Sequence, residues 1–296
     1  RTSSKLKAGV GTVKLTLPEG ATPENLRLAI ATSSSDFLEI AAIRDLVSEL
    51  GKTTPFHEAH PSGQLMAQCA HLDYLLHHKL NKPHQNQIKL VINKLCSDLT
   101  LSQTREGSWT AVRNRRMSSL LHTTAAYQAL NMAKKQGIEI EPSTLIKAKA
   151  WLNQKQKSVA TDLYNSRALV QYALASSGDA DFAICNRLYR ERKKMNNIGK
   201  AFLANTFVLI DRKEFTTTLV KEITDDASMS NTNELMLNSP ALLTALTLEA
   251  RIALGEQKDI DKDFSLLFHS DTDRGFSVRA YAEFFKTTKA SEGKII

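Results

Sequence analysis

The sequence predicts an all-α fold: a closed α/α toroid of about six helical hairpins, preceded by a short N-terminal β-strand pair. Three observations carry this. Apolar residues recur at period 3.6 from Asp36 almost to the end of the chain. Gly, Pro or a polar cap punctuates that pattern into about twelve segments. Strongly apolar segments such as "SPALLTALTLEARIAL" and "KAFLANTFVLI" alternate with half-polar ones such as "LYRERKKM". Such alternation implies two concentric layers, one buried on all sides and one on a single face. A repeat of roughly 40 to 50 residues suits an open solenoid as well as a closed ring. A solenoid would show a sharper sequence repeat and polar end caps, and neither is evident, so the ring is favoured.

The elements follow in order. Residues 1–35 read as a β lead-in: Val13, Leu15 and Leu17 alternate in "TVKLTL", the turn-like "PEGATPEN" intervenes, and Leu26, Leu28 and Ile30 alternate again. Residues 36–296 read as the toroid. Its first helix runs from Asp36 to Leu50, with hydroxyls at Ser34 and Ser35 for the first turn and Gly51 as its stop. Helices are then expected over about Ser62–Leu80, His84–Thr100, Ser118–Gln136, Ser143–Gln156, Asp162–Ser177 and Asp179–Met195. Five more are expected over about Ile198–Asp211, Glu214–Asp225, Pro240–Leu254, Asp259–His269 and Phe276–Thr287. The polar stretch from Glu222 to Leu235 reads as a solvated loop, because it lacks the alternating acidic spacing of a calcium loop.

Composition narrows the function classes. The 296 residues are 42% hydrophobic and 24% charged, which is the balance of a globular chain with a sizeable core. No apolar run approaches the roughly 18 residues of a membrane span, so no membrane contact by this segment is expected. The start, "RTSSKLKAGVGTV", has neither an initiator Met nor the apolar core of a signal peptide, and the chain reads as a segment of a larger polypeptide. A charge of +8 gathers in Val112–Met117 ("VRNRRM") and Arg190–Lys200 ("RERKKMNNIGK"). Neither run interleaves aromatics, so both read as solvated helix faces and no nucleic-acid partner is expected. Cys69, Cys96 and Cys185 are odd in number and widely spaced, which marks them as small buried thiols.

Two constellations invite chemistry. His57, His60, His71, His77, His78 and His84 fall within 28 residues, beside Glu58, Cys69 and Asp73. Zinc accepts those ligand types, and His57, His60 and His71 are the candidate metal ligands. "HEAH" lacks the helical H-E-x-x-H spacing, however, and Pro61 discourages helix at His60. Structural histidines at helix ends are the simpler reading, so no metal and no cofactor are assigned. The second constellation, "QTREGSW" (Gln103–Trp109), has the Q-x-x-x-G-x-W spacing of terpenoid cyclases and related toroids. Physically, Gly107 permits a tight turn, Trp109 packs between layers and the Gln103 amide ties down backbone at a helix end. The acid-rich cyclase motifs are missing: "DKDF" (Asp261–Phe264) and "DTDR" (Asp271–Arg274) are the nearest, in surface turns.

Several stretches resemble one family. "RLYRER" followed by "GKAFLA" is similar to the hairpin pattern in the thioester domain of bacterial alpha-2-macroglobulin-like proteins. "VKLTLPEGATPENLRLAIATSS" resembles the strand pair leading into that domain, and "DFLEIAAIRDLVSELGK" the helix running into its thioester loop. "REGSWTAVRNRRMSSLLHTTAAYQALNMAKKQGIEIE" resembles its glycine and tryptophan loop and the following helix. The resemblance runs from about Val13 to Phe285 and implies a part of a large protease-trapping protein, in a periplasmic or cell-surface location. The family's thioester joins a Cys to a Gln within P-Y-G-C-x-E-Q. Matching Gln64 to that Gln places Gly63 at the Glu position and Pro61 at the Cys position, so Pro61, Ser62, Gly63 and Gln64 form a degenerate thioester loop. Pro has no nucleophile, and Cys69 lies after the Gln rather than before it. The resemblance therefore implies a non-covalent role with no catalytic residue, the partners being neighbouring domains of the parent chain and, through the whole molecule, a target protease. The competing reading is an enzyme of the terpenoid cyclase or prenyltransferase class using a central cavity, which should then be deep, apolar and lined by convergent acids or a metal site.

Overall fold

Helical spacing in the sequence becomes two layers of helices in space. The computed structural model describes residues 61–77, 79, 82–111, 114–223, 240–256, 279–280 and 282–283. In chain order these form α1 (Pro61–His77), α2 (Lys82–Ser102), β1 (Thr110–Ala111), β2 (Asn114–Ser118), α3 (Leu120–Lys135), α4 (Pro142–Ser158) and α5 (Tyr164–Ala175). There follow α6 (Phe182–Arg190), a 3-10 turn (Arg192–Lys194), α7 (Asn197–Leu209), α8 (Lys213–Glu222) and α9 (Pro240–Ala253). Residues 279–280 and 282–283 are also helical. The expected strand pair of residues 1–35 and the helices expected at 36–50 and 259–269 lie outside the described residues. So does the closure of the ring.

The odd-numbered helices α1, α3, α5, α7 and α9 pack side by side in chain order, and each even-numbered helix packs outside, bridging its two neighbours. Sequence dictates that sorting. In α5 every residue from Asn165 to Ala175 is buried, whereas α6 buries only Cys185 and Leu188. A helix flanked on both sides and covered from outside must be apolar nearly all round, and one on the surface needs a single stripe. Helix α2 shows such a stripe in Ile88, Ile92, Cys96 and Leu99, spaced by three or four residues.

Specific contacts tie the layers together. Phe207 of α7 stacks on Phe215 of α8 at 4.7 Å, and Tyr189 of α6 meets Phe215 edge-on at 4.8 Å, so one aromatic cluster joins three successive helices. Trp109 is 1% exposed, and its Nε1–H donates to the Leu99 carbonyl at the end of α2 (2.8 Å). The Gln103 amide donates to the carbonyls of Gly107 (3.1 Å) and Thr144 (2.9 Å), joining the loop before β1 to the first turn of α4. Gly107 has φ +92°, and a Cβ there would collide with the Lys147 carbonyl, so glycine is required twice over.

Several expected helices are shorter than the periodicity suggests. The segment over Asp179–Met195 becomes α6 and a separate 3-10 turn, because Asp181 caps α6 late, its carboxylate accepting from the Ala183 and Ile184 N–H groups (2.8 and 3.2 Å). Residues 114–117 of the basic run do not lie on a helix face: Asn114–Ser118 pairs antiparallel with β1, and α3 begins only at Leu120 after the Ser119 cap. The second basic run is partly neutralised. Arg192 pairs with Glu222 at 3.0 Å and lies over the Tyr189 ring, while Lys194 pairs with Glu191 at 2.7 Å.

Candidate functional site

Chain alternation makes the inner helices run parallel, which gives their array an N-terminal and a C-terminal end. Pro61, Ser62, Gly63 and Gln64 form the first turn of α1 at the N-terminal end, with Ser62 buried and the other three half-buried. Pro suits a first helical position because its missing N–H would have no partner there. Cys69 lies farther along α1, fully buried, and its backbone carbonyl accepts from the Gln136 amide. Burial first, then the nearby Cys96 and Asp73, push the Cys69 thiol well above its ordinary range. Burial likewise raises Cys96 to about 11 and Cys185 to about 12. All three thiols are free and protonated at neutral pH, so none supplies a thiolate.

The same end is organised by helix caps. Asn196 accepts from the Gly199 N–H (2.7 Å) to cap α7, and its own N–H donates to Asn165 Oδ1 (3.1 Å). A Cβ at Gly199 would run into that Asn165 carboxamide, which is the physical reason for glycine in "GKAFLA". Ser119 caps α3, its hydroxyl accepting from the His122 N–H (3.4 Å) and bonding the His122 Nδ1 (2.7 Å).

Of the candidate metal ligands, His57 and His60 lie outside the described residues. His71 is buried on α1, its ring edge-on to His84 with centroids 5.2 Å apart. Burial, reinforced by His84, lowers His71 to about 4, so it is neutral at pH 7. Among the described residues no group of three or more His, Cys, Asp and Glu side chains is arranged to hold a metal ion.

The C-terminal end is built differently. A cavity of about 520 Å³ opens there, and every inner helix lends it a polar residue: Asp73 of α1, Gln128 and Lys135 of α3, Tyr172 of α5, Asn205 of α7 and Glu249 of α9. Arg279, which also lines it, meets the Glu249 carboxylate in a two-pronged pair, Nε to Oε1 and Nη2 to Oε2, both 2.6 Å. Its Nη2 also contacts the Tyr172 hydroxyl. Burial pushes the Glu249 carboxyl up, and the guanidinium opposes that shift. Burial also raises the Tyr172 hydroxyl. Asn205 is committed to structure, its amide donating to the Ala201 and Leu246 carbonyls (2.9 and 2.8 Å). Gln128 is 1% exposed, and among the described residues neither amide atom has a hydrogen-bond partner.

A second, more open groove of about 690 Å³ lies beside this cavity and shares Lys135, Ser176 and Leu209 with it. Tyr127, Ser177, Asp179 and Lys149 form a hydrogen-bonded chain along its wall, ending in the Lys149–Asp179 pair at 2.6 Å. Of the cavity residues, sequence reasoning named Asp73, beside the histidine cluster, and assigned none of the others a role at a site. Part of their signal was present nonetheless, since Asn205 and Glu249 are strongly polar residues in the middle of the most apolar helices.

The cavity wall carries amides and a charged pair, and its Glu249 is engaged by Arg279. No helix of the described residues is long and apolar enough to cross a membrane.

No protein-family model matches the sequence, and no curated protein sequence matches it. Solved structures do share its fold. Alpha-2-macroglobulin of Salmonella reacted with methylamine superposes with TM-score 0.61 at 12% identity, over 84% of this chain and 17% of that one. A mutant of the Salmonella protein gives 0.62 at 13%, over 81% and 17%. Native alpha-2-macroglobulin of Escherichia coli, from domain MG7 to the C-terminus, gives 0.59 at 13%, over 83% of this chain and 42% of that one. This chain thus spans less than half of the structures it matches, and it has the fold of a part of bacterial alpha-2-macroglobulins.

Proposed function

We propose that this chain is the thioester-type helical domain of an alpha-2-macroglobulin-like protease-trapping protein, and that it acts without a thioester. The observation that carries the reading is the fold shared with bacterial alpha-2-macroglobulins over more than four-fifths of the chain. The absence of a thiol at Pro61 supports the second half: an acyl thioester needs a sulfur ahead of its Gln, and the residue there has no nucleophile. Cys69 does not replace it, because its thiol is buried and protonated. The domain's work is then mechanical. It is a rigid body that packs against neighbouring domains of its parent chain and helps enclose a protease, in an extracytoplasmic setting.

Intact mass of the native protein tests the chemistry, compared before and after denaturation with methylamine and iodoacetamide. A native mass equal to the sequence mass, no methylamine adduct, and alkylation of Cys69, Cys96 and Cys185 only after unfolding are expected. A native mass lighter by one ammonia, recovered as a methylamine adduct at Gln64, would overturn the non-covalent reading. Enclosure is tested with the parent polypeptide and a general protease. Trapping blocks cleavage of protein-sized substrates while sparing that of small peptides, and equal loss of both would exclude it.

A further inference from the structure

A guanidinium is a permanent charge, and burying one without a counter-charge is strongly unfavourable. Arg167 is in that state. It stands in the first turn of α5 and is 8% exposed, and among the described residues its side chain makes no hydrogen bond, ion pair or ring contact. We infer that the N-terminal end of α5 is a binding site for a carboxylate, gripped by Arg167. The inference goes beyond the protease-trapping reading and does not depend on it.

Two independent observations select that ligand. The first is the guanidinium itself. Its Nε is enclosed and unpartnered, while Nη1 and Nη2, also unpartnered among the described residues, keep a solvent-facing surface. Those two nitrogens form an end-on fork whose parallel N–H groups match the two oxygens of a carboxylate. The second is α5. Side chains on a helix lean toward its N-terminus, so a long residue in the first turn reaches the helix start, where partial positive charge gathers. Ser119 and Asn196 cap the neighbouring inner helices α3 and α7, whereas α5 begins at Leu163 with no side-chain cap. Both observations favour an anion, and one guanidinium balances the single charge of a carboxylate better than the larger charge of a phosphate.

Nearby side chains do not supply that charge. Asp162, the nearest acid in sequence, is exposed and forms no ion pair with Arg167. Gln156, in the last turn of α4 across the 159–163 loop, has a buried amide without partners, but a neutral amide cannot balance a charge. Because so little of Arg167 is open, the carboxylate has to arrive on a slim stem, either as a small free acid or as an acidic side chain of a polypeptide.

Thermal unfolding of the 296-residue protein tests this, with sodium acetate compared against sodium chloride at equal ionic strength. A Kd on the order of 10 mM corresponds to a rise in midpoint of about 3 °C in 100 mM acetate. Arg167→Met keeps the stem without the charge. It should abolish the rise and, in chloride, melt higher than the native protein, because no bare charge is left. Arg167→Lys keeps the charge without the fork and should lose most of the rise. Phosphate is the control: its effect on the native protein beyond that on Arg167→Met should be smaller than acetate's. Glutamate blocked as an amide at both ends of its backbone separates the two sources. Stabilisation at least equal to acetate's marks an acidic side chain of a polypeptide, and stabilisation by acetate alone marks a small free acid. Four results would each overturn the inference: acetate no better than chloride, a rise that survives in Arg167→Met, a larger Arg167-dependent effect of phosphate, or an Arg167→Met protein that melts lower in chloride. The last would show that the guanidinium already has a counter-charge within the chain. Thioester status, read by mass, is untouched by any of these outcomes.

Discussion

At the N-terminal end of the inner helices, polar side chains are largely consumed by the backbone. Ser119 caps α3, Asn196 caps α7, and Asn165 holds the Asn196 N–H against Gly199. At the C-terminal end, only some are consumed: Asn205 ties α7 to α9, and Glu249 is held by Arg279, but the amide atoms of Gln128 are left over. Free N–H groups at a helix start compel side-chain acceptors to cap them, whereas polar atoms inside the cavity answer to no such demand. The comparison teaches that polarity at one end of this fold is largely spent on helix caps, while at the other part of it stays unpaired among the described residues.

Substitutions sharpen that contrast, beginning with the charged pair. Arg279→Met strands the Glu249 carboxylate in a mostly buried site and should cost about 3–5 kcal/mol in chemical unfolding. A cost under about 1 kcal/mol would mean that the pair is effectively solvated and the cavity not enclosed.

Acidification should act almost as strongly, through α1. His71 drops from its usual 6.5 to about 4 on folding, so between those values the unfolded chain takes up the proton that the native chain refuses. Stability is therefore fully present above pH 6.5 and is lost as pH falls toward 4, by up to about 3 kcal/mol. Denaturant midpoints across that window would show the slope, and His71→Leu should remove this contribution. An unchanged slope in the variant would assign it to other groups.

The capping end should respond more modestly. Gly199→Ala displaces the Asn165 carboxamide from the Asn196 N–H and should cost about 1–3 kcal/mol in chemical unfolding. Pro61→Ala, at the first position of α1, should stay within about 0.5 kcal/mol of the native protein. A loss above about 2 kcal/mol would recast Pro61 as a structural lock rather than a substituted thiol position.

Much of this was legible in the sequence, for local reasons. Helix limits from α1 to α9 followed apolar period and caps, the three cysteines read as buried thiols, and "QTREGSW" disclosed a turn in which Gln103, Gly107 and Trp109 each have a distinct task. The late start of α6 was less visible, because Asp179 and Asp181 are both plausible caps and only the bonds to Ala183 and Ile184 choose between them. Residues 114–117 of the basic run misled, since their charges suited a solvated face while the pairing of Asn114–Ser118 with Thr110–Ala111 depended on a partner strand.

What the sequence determined by itself was the sorting of helices into an all-round apolar layer and a one-sided layer, because periodicity is a property of consecutive residues. It also settled that no thiol stands at residue 61, a matter of identity alone. The tertiary structure decided the cavity. Gln128, Tyr172, Asn205, Glu249 and Arg279 are spread over about half of the chain and fall on separate helices, so nothing local relates them. Only the parallel packing of the inner helices brings these residues to one level, and that arrangement surrounds Gln128 with neighbours that leave its amide unserved.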